Sequence, residues 1–403
     1  MRDGSRLKHV ANLQAGGTPD TGDPTYWADD EGTPWIAISD MSQGGTVVSS
    51  AKAVSDAGIA SKRLPVGDPG TVLLAMYATV GAAATLGIRA TWNQAILGIV
   101  PDPARADARF LRYWLESVRP DWTAAVRSNT QDNLNAETVG NAVLPPIPAT
   151  RQRAIADYLD AETARIDALV VAYRQQLDFL ARRKRATASE ELATHSIARV
   201  PVRRLVTTVT SGPRGWSGLE VERSDQIFLR IANVPPDSTR LKLEDVAFIS
   251  APGGDESKRC RVRSGDVLTT ITAAIGQVAV VPPDLGEAYV SQHLALLRPN
   301  PALVTPDWLA LALWSDDAQR QLDAARYGGT KQQLSLDDVR DVRVPLADLK
   351  VQNVVLPRLL VQLEALTDAE RRIRRVTDLL TERRQAVITA AVTGQLDIPG
   401  VAA

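Results

Sequence analysis

The chain has 403 residues, of which 44% are apolar, and its 46 lysines and arginines nearly balance its 47 aspartates and glutamates. This length corresponds to about two or three globular domains, and a net charge of -1 excludes a polybasic coating protein but not local basic surfaces. The single cysteine, Cys260, excludes an intrachain disulfide, and no Cys/His spacing is typical of a zinc site. We expect neither a signal peptide nor a membrane span, which favours a cytoplasmic protein.

The chain contains an internal repeat whose two copies keep the same order of motifs. The offset between the copies grows from 193 residues near the start of the repeat to 200 residues at its end. The matching pairs are Trp35 with Phe228, Ser61 with Ser257, Gly70 with Gly265, Gly81 with Gly276, Gln94 with Gln292, Pro145 with Pro345 and Gln152 with Gln352. A repeat of this size indicates that one structural unit occurs twice.

The first ~145 residues of each copy predict a mixed α/β domain. Short β-branched runs, such as Val72–Leu74 and Val278–Val281, are interrupted by glycine and proline. A helix is predicted near Phe110–Val118, and its counterpart near Trp308–Leu313.

A long helix is predicted at the end of each copy, after Pro148 and after Pro345. Apolar residues recur there with a strict period of seven, which is typical of a coiled-coil seam. The seam positions are Leu159, Ile166, Tyr173, Leu180, Leu359, Leu366, Ile373, Leu380 and Val387. The alternative is that each helix packs alone on the core of its own domain.

These elements predict an α+β fold: two mixed α/β globular domains joined by two long antiparallel coiled-coil helices with pseudo-two-fold symmetry. The expected boundaries are 1–147 for the first domain, 148–198 for the central helix, 199–346 for the second domain and 347–403 for the C-terminal helix. About 30 helical residues would span roughly 45 Å. That length is comparable to the 34–36 Å, about one turn of DNA, that separates the half-sites of two-fold DNA-binding proteins.

The order of several short motifs resembles that of the specificity subunits of type I restriction-modification systems, over essentially the whole chain. The motifs are Gly16–Pro19, Pro34–Ile36, Gly265–Leu268, Gly329–Leu334, Glu382–Ala386 and Ala391–Asp397. The second copy departs from the first where Ser211–Trp216 replaces Gly16–Pro19. Two different half-sites would account for that difference.

The resemblance implies a DNA-binding role in restriction and phage defence, in which each globular domain is a target-recognition domain for one half of a bipartite, gapped double-stranded target. It implies that two methyltransferase subunits dock on the helices, that restriction subunits join the complex, and that the target is methylated at adenine. We also expect no cofactor and no catalytic activity for this chain.

Two loops rich in Arg, Lys, Asn and Gln are the first candidates for DNA contacts, because these side chains bind phosphates and base edges. The residues are Arg127, Asn129, Thr130, Gln131 and Asn133 in the first copy, and Arg326, Thr330, Lys331, Gln332 and Gln333 in the second. The alternative is a polar turn whose amides cap backbone groups.

A basic pair in each copy, Lys62 with Arg63 and Lys258 with Arg259, could neutralise phosphates. A charged, solvated strand edge explains the same residues. A run between two glycines contains Tyr77 and Thr79 in the first copy and Thr272 and Ala274 in the second, and core packing is favoured there. For Gln94 and Gln292, both core packing and a groove-facing position stay open.

Cations late in the long helices, in Arg182–Arg185 and at Arg383 and Arg384, are favoured by the helix dipole, and contact with DNA or a partner is the alternative. His9, His195 and His293 have no ligand spacing, so no metal site is predicted.

The sequence contains no constellation of catalytic residues. A phosphate-binding loop ending in Gly-Lys-Ser/Thr and an Asn-Pro-Pro-aromatic motif of adenine methyltransferases are both missing. The nuclease-like fragment Glu256–Lys258, with Asp245 upstream, loses its carboxylate in the other copy, Ala60–Lys62. The competing hypotheses are a coiled-coil scaffold that binds proteins without recognising DNA and, with less support, a nuclease or methyltransferase in its own right.

Overall fold

A computed structural model describes residues 4–29, 31–41, 44–128, 134–327 and 332–398. The chain divides into two compact units, Met1–Ala172 with Val376–Ala403 as unit 1 and Tyr173–Arg375 as unit 2. Each unit contains one mixed α/β domain and one part of each of two long helices. The structure thus has the predicted α+β architecture. The domain boundaries at 147, 198 and 346 stay a prediction.

In the part of unit 1 that the structure describes, short strands alternate with helices, and the long helix that follows the domain continues into unit 2. The strands are β1 (Ser5–Arg6), β2 (Ala11–Ala15), β3 (Trp27–Ala28), β4 (Thr33–Ile36), β5 (Thr46–Val47), β6 (Lys52–Val54), β7 (Val72–Ala75), β8 (Ala83–Leu86), β9 (Thr91–Trp92), β10 (Ile96–Pro101) and β11 (Val143–Leu144). The helices are α1 (Asp56–Lys62), α2 (Ala108–Ser128), α3 (Ala136–Asn141) and α4 (Ala149–Thr194).

In the described residues of unit 1, the domain has two main sheets besides the antiparallel pair β1–β11. The larger has the order β2-β10-β7-β8-β5, and the smaller has the order β3-β6-β4-β9 with β4 parallel to β9. Strands β7 and β10 are buried along nearly their whole length, which explains why their sequences are nearly continuous runs of apolar residues. Helix α2 covers the larger sheet through Phe110 and Trp114, which share one apolar cluster with Val72 and Leu97.

Unit 2 repeats this design, with the last helix continuing into unit 1. Its strands are β12 (Ala198–Pro201), β13 (Val206–Ser211), β14 (Glu220–Val221), β15 (Gln226–Leu229), β16 (Ala247–Ile249), β17 (Val267–Thr270), β18 (Val278–Val280), β19 (Glu287–Val290), β20 (Leu294–Pro299) and β21 (Arg343–Leu346). Its helices are α5 (Asp255–Cys260), α6 (Pro306–Trp314), α7 (Asp316–Ala324), α8 (Leu336–Asp341) and α9 (Leu349–Val392).

The sheets of unit 2 match those of unit 1 strand for strand in their cores. The orders are β13-β20-β17-β18 and β14-β16-β15-β19, the latter with β15 parallel to β19. The predicted helix at Trp308–Leu313 is α6, which is buried along its length and is followed by the separate helix α7. In unit 1 the corresponding segment is the single helix α2, longer than the predicted Phe110–Val118.

The two long helices run antiparallel to each other within each unit. In unit 2, Ala188 and Leu192 of α4 share the core with Leu359 and Leu363 of α9, and Lys184, earlier in α4, binds Glu370, later in α9. In unit 1, Leu159 of α4 and Ile388 of α9 lie in one cluster, whereas Asp167 binds the earlier residue Arg384. The helices are longer than the estimate of about 30 residues, with 46 residues in α4 and 44 in α9.

The predicted seam positions lie on the inward faces of these helices. Leu159, Ile166, Leu180 and Leu359 are buried, and Tyr173, Leu366, Ile373, Leu380 and Val387 are partly buried. At the end of α9 the fully buried position is Ile388 rather than its neighbour Val387. A helix turn of 3.6 residues drifts against a period of seven, which moves the buried position by one residue where the helix meets its domain.

Candidate DNA interface

Three segments that are distant in sequence meet in the same order in both units. In unit 1, the amide of Leu134 donates to the carbonyl of Met76 at 3.2 Å, and the amide of Met76 donates to the carbonyl of Ala95 at 2.9 Å. In unit 2, Leu334 donates to Ile271 at 2.8 Å, and Ile271 donates to His293 at 3.0 Å. We call these segments the turn edge, defined as 76–80, 93–95 and 134 in unit 1 and 271–275, 291–293 and 332–334 in unit 2.

The first segment of each turn edge, 76–80 in unit 1 and 271–275 in unit 2, contains an alanine in the left-handed conformation. Ala78 and Ala273 both have a φ of 56°. A left-handed L-residue costs roughly 1–2 kcal/mol, so its occurrence at the same place in both copies marks a backbone shape that both units retain.

Core packing, which the sequence favoured for Tyr77 and Thr79, is wrong. Tyr77, Ala78 and Thr79 are all exposed, and Ala274 is exposed in unit 2 while Thr272 is partly buried. The chain reverses direction here between β7 and β8, so these side chains leave the sheet instead of entering the core. The turn edge therefore presents side chains to solvent.

A glycine loop lies against the turn edge of unit 1. The Thr18 hydroxyl hydrogen-bonds the Gln94 side chain, and the Trp35 indole donates to the Gly17 carbonyl at 3.0 Å. A Cβ atom on Gly16 would lie 2.1 Å from the Asn93 carbonyl oxygen, so only glycine allows this approach. In unit 2, a Cβ atom on Gly212 would lie 1.9 Å from the Val290 carbonyl oxygen, and the close approach is kept although Thr18 and Pro19 are not repeated.

Polar side chains converge on the turn edge of unit 2. The Thr272 hydroxyl lies 2.8 Å from Nδ1 of His293, and Gln333 pairs through its backbone with Tyr327. Gln332 is exposed and lies 3.5 Å from Arg326, measured between Oε1 and Nη1. The sequence identified Gln332 and Gln333 as candidates for DNA contact, but not Thr18 or His293. The only signal for Thr18 was the Gly16–Pro19 motif that contains it, and the only signal for His293 was its neighbour Gln292.

The basic pairs lie on helices, so the explanation of a charged strand edge is wrong. Lys62 ends α1, and Arg63 follows in the left-handed conformation that stops the helix; both are exposed. A Cβ atom on Gly17 would lie 4.0 Å from Cβ of Lys62, which places this pair beside the glycine loop.

The second basic pair is already neutralised within α5. Lys258 binds Asp255 at 3.0 Å and Arg259 binds Glu256 at 3.8 Å. These acidic partners compete with phosphates, so α5 is the weaker candidate for backbone contacts.

Part of the predicted interface lies outside the described residues, namely Asn129, Thr130, Gln131 and Asn133 in unit 1 and Thr330 and Lys331 in unit 2. Arg127 belongs to α2, not to a loop as predicted. Arg326 lies just after α7 and binds Asp323. DNA contact by these residues stays a prediction.

Within residues 4–29, 31–41, 44–128, 134–327 and 332–398, no three His, Cys, Asp or Glu side chains are grouped to hold a metal ion. Burial raises the pKa of the Cys260 thiol to about 11, which keeps it protonated and unreactive near neutral pH. Among the same residues, no helix is both long enough and apolar enough to cross a membrane.

Comparison with known proteins identifies the domain that carries the first turn edge. The family model of the type I restriction modification DNA specificity domain matches residues 3–176. Residues 3–176 are thus similar in sequence to type I specificity domains. Because unit 2 repeats its sheets and its turn edge, the second copy has the same design.

Relatives of known function or structure extend this result along the chain. The chain is 23% identical over 400 residues to the Type I restriction enzyme EcoBI specificity subunit of Escherichia coli, an alignment covering 91% of this chain and 80% of that protein. A chain from a structure of a type I R-M system, solved to explain its complex assembly and conformational transition, has a TM-score of 0.64 at 18% identity and covers 97% of both chains. This similarity shows a shared fold.

A further structure, the HsdS subunit from Thermoanaerobacter tengcongensis, aligns over 97% of this chain and 96% of that one at 19% identity, with a TM-score of 0.42 that is too low to establish a shared fold. The family match and the Escherichia coli relative confirm the predicted resemblance to type I specificity subunits. They support DNA recognition in a restriction-modification system, and they do not favour a coiled-coil scaffold without it.

Proposed function

We propose that this specificity subunit uses its two turn edges to read the two halves of a gapped DNA target. Residues 1–147 are recognition domain 1 and residues 199–346 are recognition domain 2 in this proposal. The observation that carries it is the repeated backbone contact between the three turn-edge segments, Leu134 to Met76 to Ala95 and Leu334 to Ile271 to His293. One backbone shape with different side chains suits two readers of different sequences.

The side chains at the turn edges suit base and phosphate contacts. Tyr77, Thr79 and Gln94 are exposed in domain 1, and Gln332 and Gln333 are exposed in domain 2. Amide side chains offer a donor and an acceptor together, which matches the edge of an adenine in the major groove. Lys62 and Arg63 beside the glycine loop would neutralise phosphates, in spite of the net charge of -1 for the whole chain.

The helices, in this proposal, set the spacing of the half-sites and bind two methyltransferase subunits. Phe179 of α4 is 57% exposed, and Leu379, which occupies the equivalent position in α9, is 45% exposed. Apolar side chains on the outer face of a charged helix suit a protein partner, because burying them removes apolar surface from water. Val354 and Val361, nearer the start of α9, are also exposed.

Methylation of adenine and cleavage of DNA belong, in this proposal, to separate subunits, and this chain is not an enzyme. Restriction subunits complete the assembly with the DNA and the two methyltransferase subunits. The cytoplasm is the proposed location, as expected for a subunit that meets its DNA target there.

The test is to express the chain with its cognate methyltransferase subunit in a methylation-free host and to map all methylated adenines. We expect one gapped motif. Replacing residues 1–147 by a recognition domain of another specificity should change one half of that motif and leave the other half unchanged. Inserting one heptad in both α4 and α9 should lengthen the gap while keeping the seam in phase.

Two outcomes would contradict the proposal. Methylation without a gapped motif would exclude a two-domain reader, and an unchanged motif after the domain exchange would exclude domain 1 as a source of specificity. A complex carrying Phe179→Ala and Leu379→Ala should lose methyltransferase subunits on size-exclusion chromatography. Arg371→Ala is the control for an exposed residue of the long helices, because Arg371 binds Asp368 of its own helix.

A further inference from the structure

A cleft of about 460 Å³ opens beside the turn edge of unit 2. Its apolar wall includes Pro213, Phe228 and Ile231, and its polar wall includes Glu220 and Arg230. The turn-edge residues Ser291, Gln292 and His293 close one side, so the cleft is continuous with the surface proposed to read DNA.

Arg230 and Glu220 form an ion pair inside this cleft. Nη1 of Arg230 lies 3.2 Å from Oε2 of Glu220, and both side chains are partly exposed. The backbone amide of Arg230 donates to the Asn233 side chain at 2.9 Å, which fixes the start of the side chain at the end of β15. The pair therefore holds a guanidinium and a carboxylate next to each other in a defined place.

Two polar atoms of the cleft residues have no partner among the residues that the structure describes. They are Nε of Arg230 and the hydroxyl oxygen of Ser291, and Ser291 is only 4% exposed. Buried polar groups are normally hydrogen-bonded, so two unsatisfied atoms among the residues of one cleft are exceptional.

The same positions carry different chemistry in unit 1. Strands β3 and β4 occupy the places in their sheet that β14 and β15 occupy in the other. Trp27 stands where Glu220 stands, and Ala37 stands where Arg230 stands. Trp27 packs edge-on against Trp35 with ring centres 5.2 Å apart, so the ion pair belongs to the second copy. Two recognition domains with the same fold can bind different DNA sequences only through side chains that differ between them, and these two positions differ.

We propose that Arg230 and Glu220 read a G·C base pair in the half-site of recognition domain 2. The paired donors of an arginine match O6 and N7 of guanine, and a glutamate accepts from the amino group of cytosine, so the ion pair offers both groups to one base pair. A phosphate in the cleft is disfavoured by the carboxylate of Glu220. The inference rests on the proposed function, and it assigns two specificity-determining residues to one base pair.

The experiment uses the assembled methyltransferase complex and compares the methylated motifs of Arg230→Ala, Glu220→Gln and the parent chain. Exchanging residues 199–346 should change one half-site of the motif. We expect the parent form of that half-site to contain a G·C pair. Arg230→Ala should relax that position, with discrimination falling roughly tenfold to hundredfold, and leave every other position unchanged. Glu220→Gln keeps the shape of the side chain and should relax the same position, which separates a reading role from a failure to fold.

Arg320→Ala is the control, because Arg320 is an exposed arginine of unit 2 that binds Asp317 at 3.2 Å, away from the cleft. It should leave the motif unchanged. A uniform loss of methylation by Arg230→Ala with the motif intact would overturn the inference, as would a half-site without a G·C pair. If the parent complex methylates no gapped motif at all, the proposed function fails instead.

Discussion

Lys184 of α4 and Glu370 of α9 form an ion pair of 2.7 Å whose side chains are only 2% and 4% exposed. Lys184 also donates to the carbonyl of Asp237 at 2.7 Å, so one ammonium group joins both long helices to the domain of unit 2. In unit 1, Arg384, the residue equivalent to Lys184, binds Asp167 of α4 at 3.0 Å and Glu116 of α2 at 3.2 Å. In each unit, a cation of one long helix thus joins the other long helix to the globular domain.

Lys184→Ala should destabilise the chain by about 3–5 kcal/mol, because it leaves the Glu370 carboxylate buried without its counter-ion. The double variant Lys184→Met with Glu370→Leu should recover most of that loss, because burying apolar side chains of similar size carries no desolvation penalty for charges. Unfolding in urea measures the free energy of unfolding of the single and the double variant. The matched control, Arg371→Ala, removes an exposed ion pair with Asp368 and should change stability by at most about 1 kcal/mol. An unaffected Lys184→Ala chain would show that the pair contributes nothing.

Gln152→Ala and Gln352→Ala should each destabilise the unit that contains the glutamine. Gln352 is completely buried, and its amide donates to the carbonyls of Leu303 and Ala347 while accepting from the amide of Thr305. Losing these bonds leaves buried backbone groups without hydrogen-bond partners, which lowers the free energy of unfolding by about 1–3 kcal/mol for each group. Hydrogen exchange should rise in residues 173–375 for Gln352→Ala and in unit 1 for Gln152→Ala, and the exposed control Gln332→Ala should change neither. Equal effects on both units would contradict this assignment.

Gly16→Ala and Gly212→Ala should destabilise the chain by about 1–3 kcal/mol, because the new methyl group would meet a backbone carbonyl at 2.1 Å or 1.9 Å. Gly218→Ala is the control, since a Cβ atom there meets nothing within 4 Å. Thermal unfolding compares the three variants. A Gly16→Ala chain as stable as Gly218→Ala would mean that the glycine loop moves away from the turn edge at little cost.

The Cys260 thiol should make stability depend on pH at the alkaline end. Burial raises its pKa to about 11 in the folded chain, whereas an unfolded cysteine has a pKa of about 8.5. The unfolded chain ionises first, so this contribution to stability is complete below about pH 8.5 and is lost as the pH rises towards about 11. Unfolding titrations between these values should show a smaller decline in Cys260→Ala. Rapid labelling of the native thiol at pH 8 would contradict the burial.

DNA binding by the complex should fall steeply with salt, since phosphate contacts release counterions. Replacing Lys62 and Arg63 by glutamine should lower the slope of log K against log salt by roughly one for each lost contact, without altering the motif. Lys258 and Arg259, already bound to Asp255 and Glu256, should change the slope less when replaced by glutamine. A larger change from the second pair would reverse the assignment of the two basic pairs.

The general architecture could be predicted because its signals are local or periodic. The long helices follow from apolar residues seven apart, such as Leu159 and Ile166, and the repeat follows from motifs in constant order. The surface positions could not be predicted in this way. Tyr77 lies in an apolar run that is typical of a core, yet a left-handed turn at Ala78 directs it to solvent.

By itself, the sequence determined that one unit of domain plus helix occurs twice, because order and periodicity are properties of the covalent chain. Only the tertiary structure decided which distant residues meet. It brought Leu134 to Met76, Lys184 to Glu370 and Glu220 to Arg230, contacts that depend on strand order and helix direction rather than on spacing in sequence. A hydrogen bond or an ion pair acts over a few ångströms, so its partners are known only once the chain has folded.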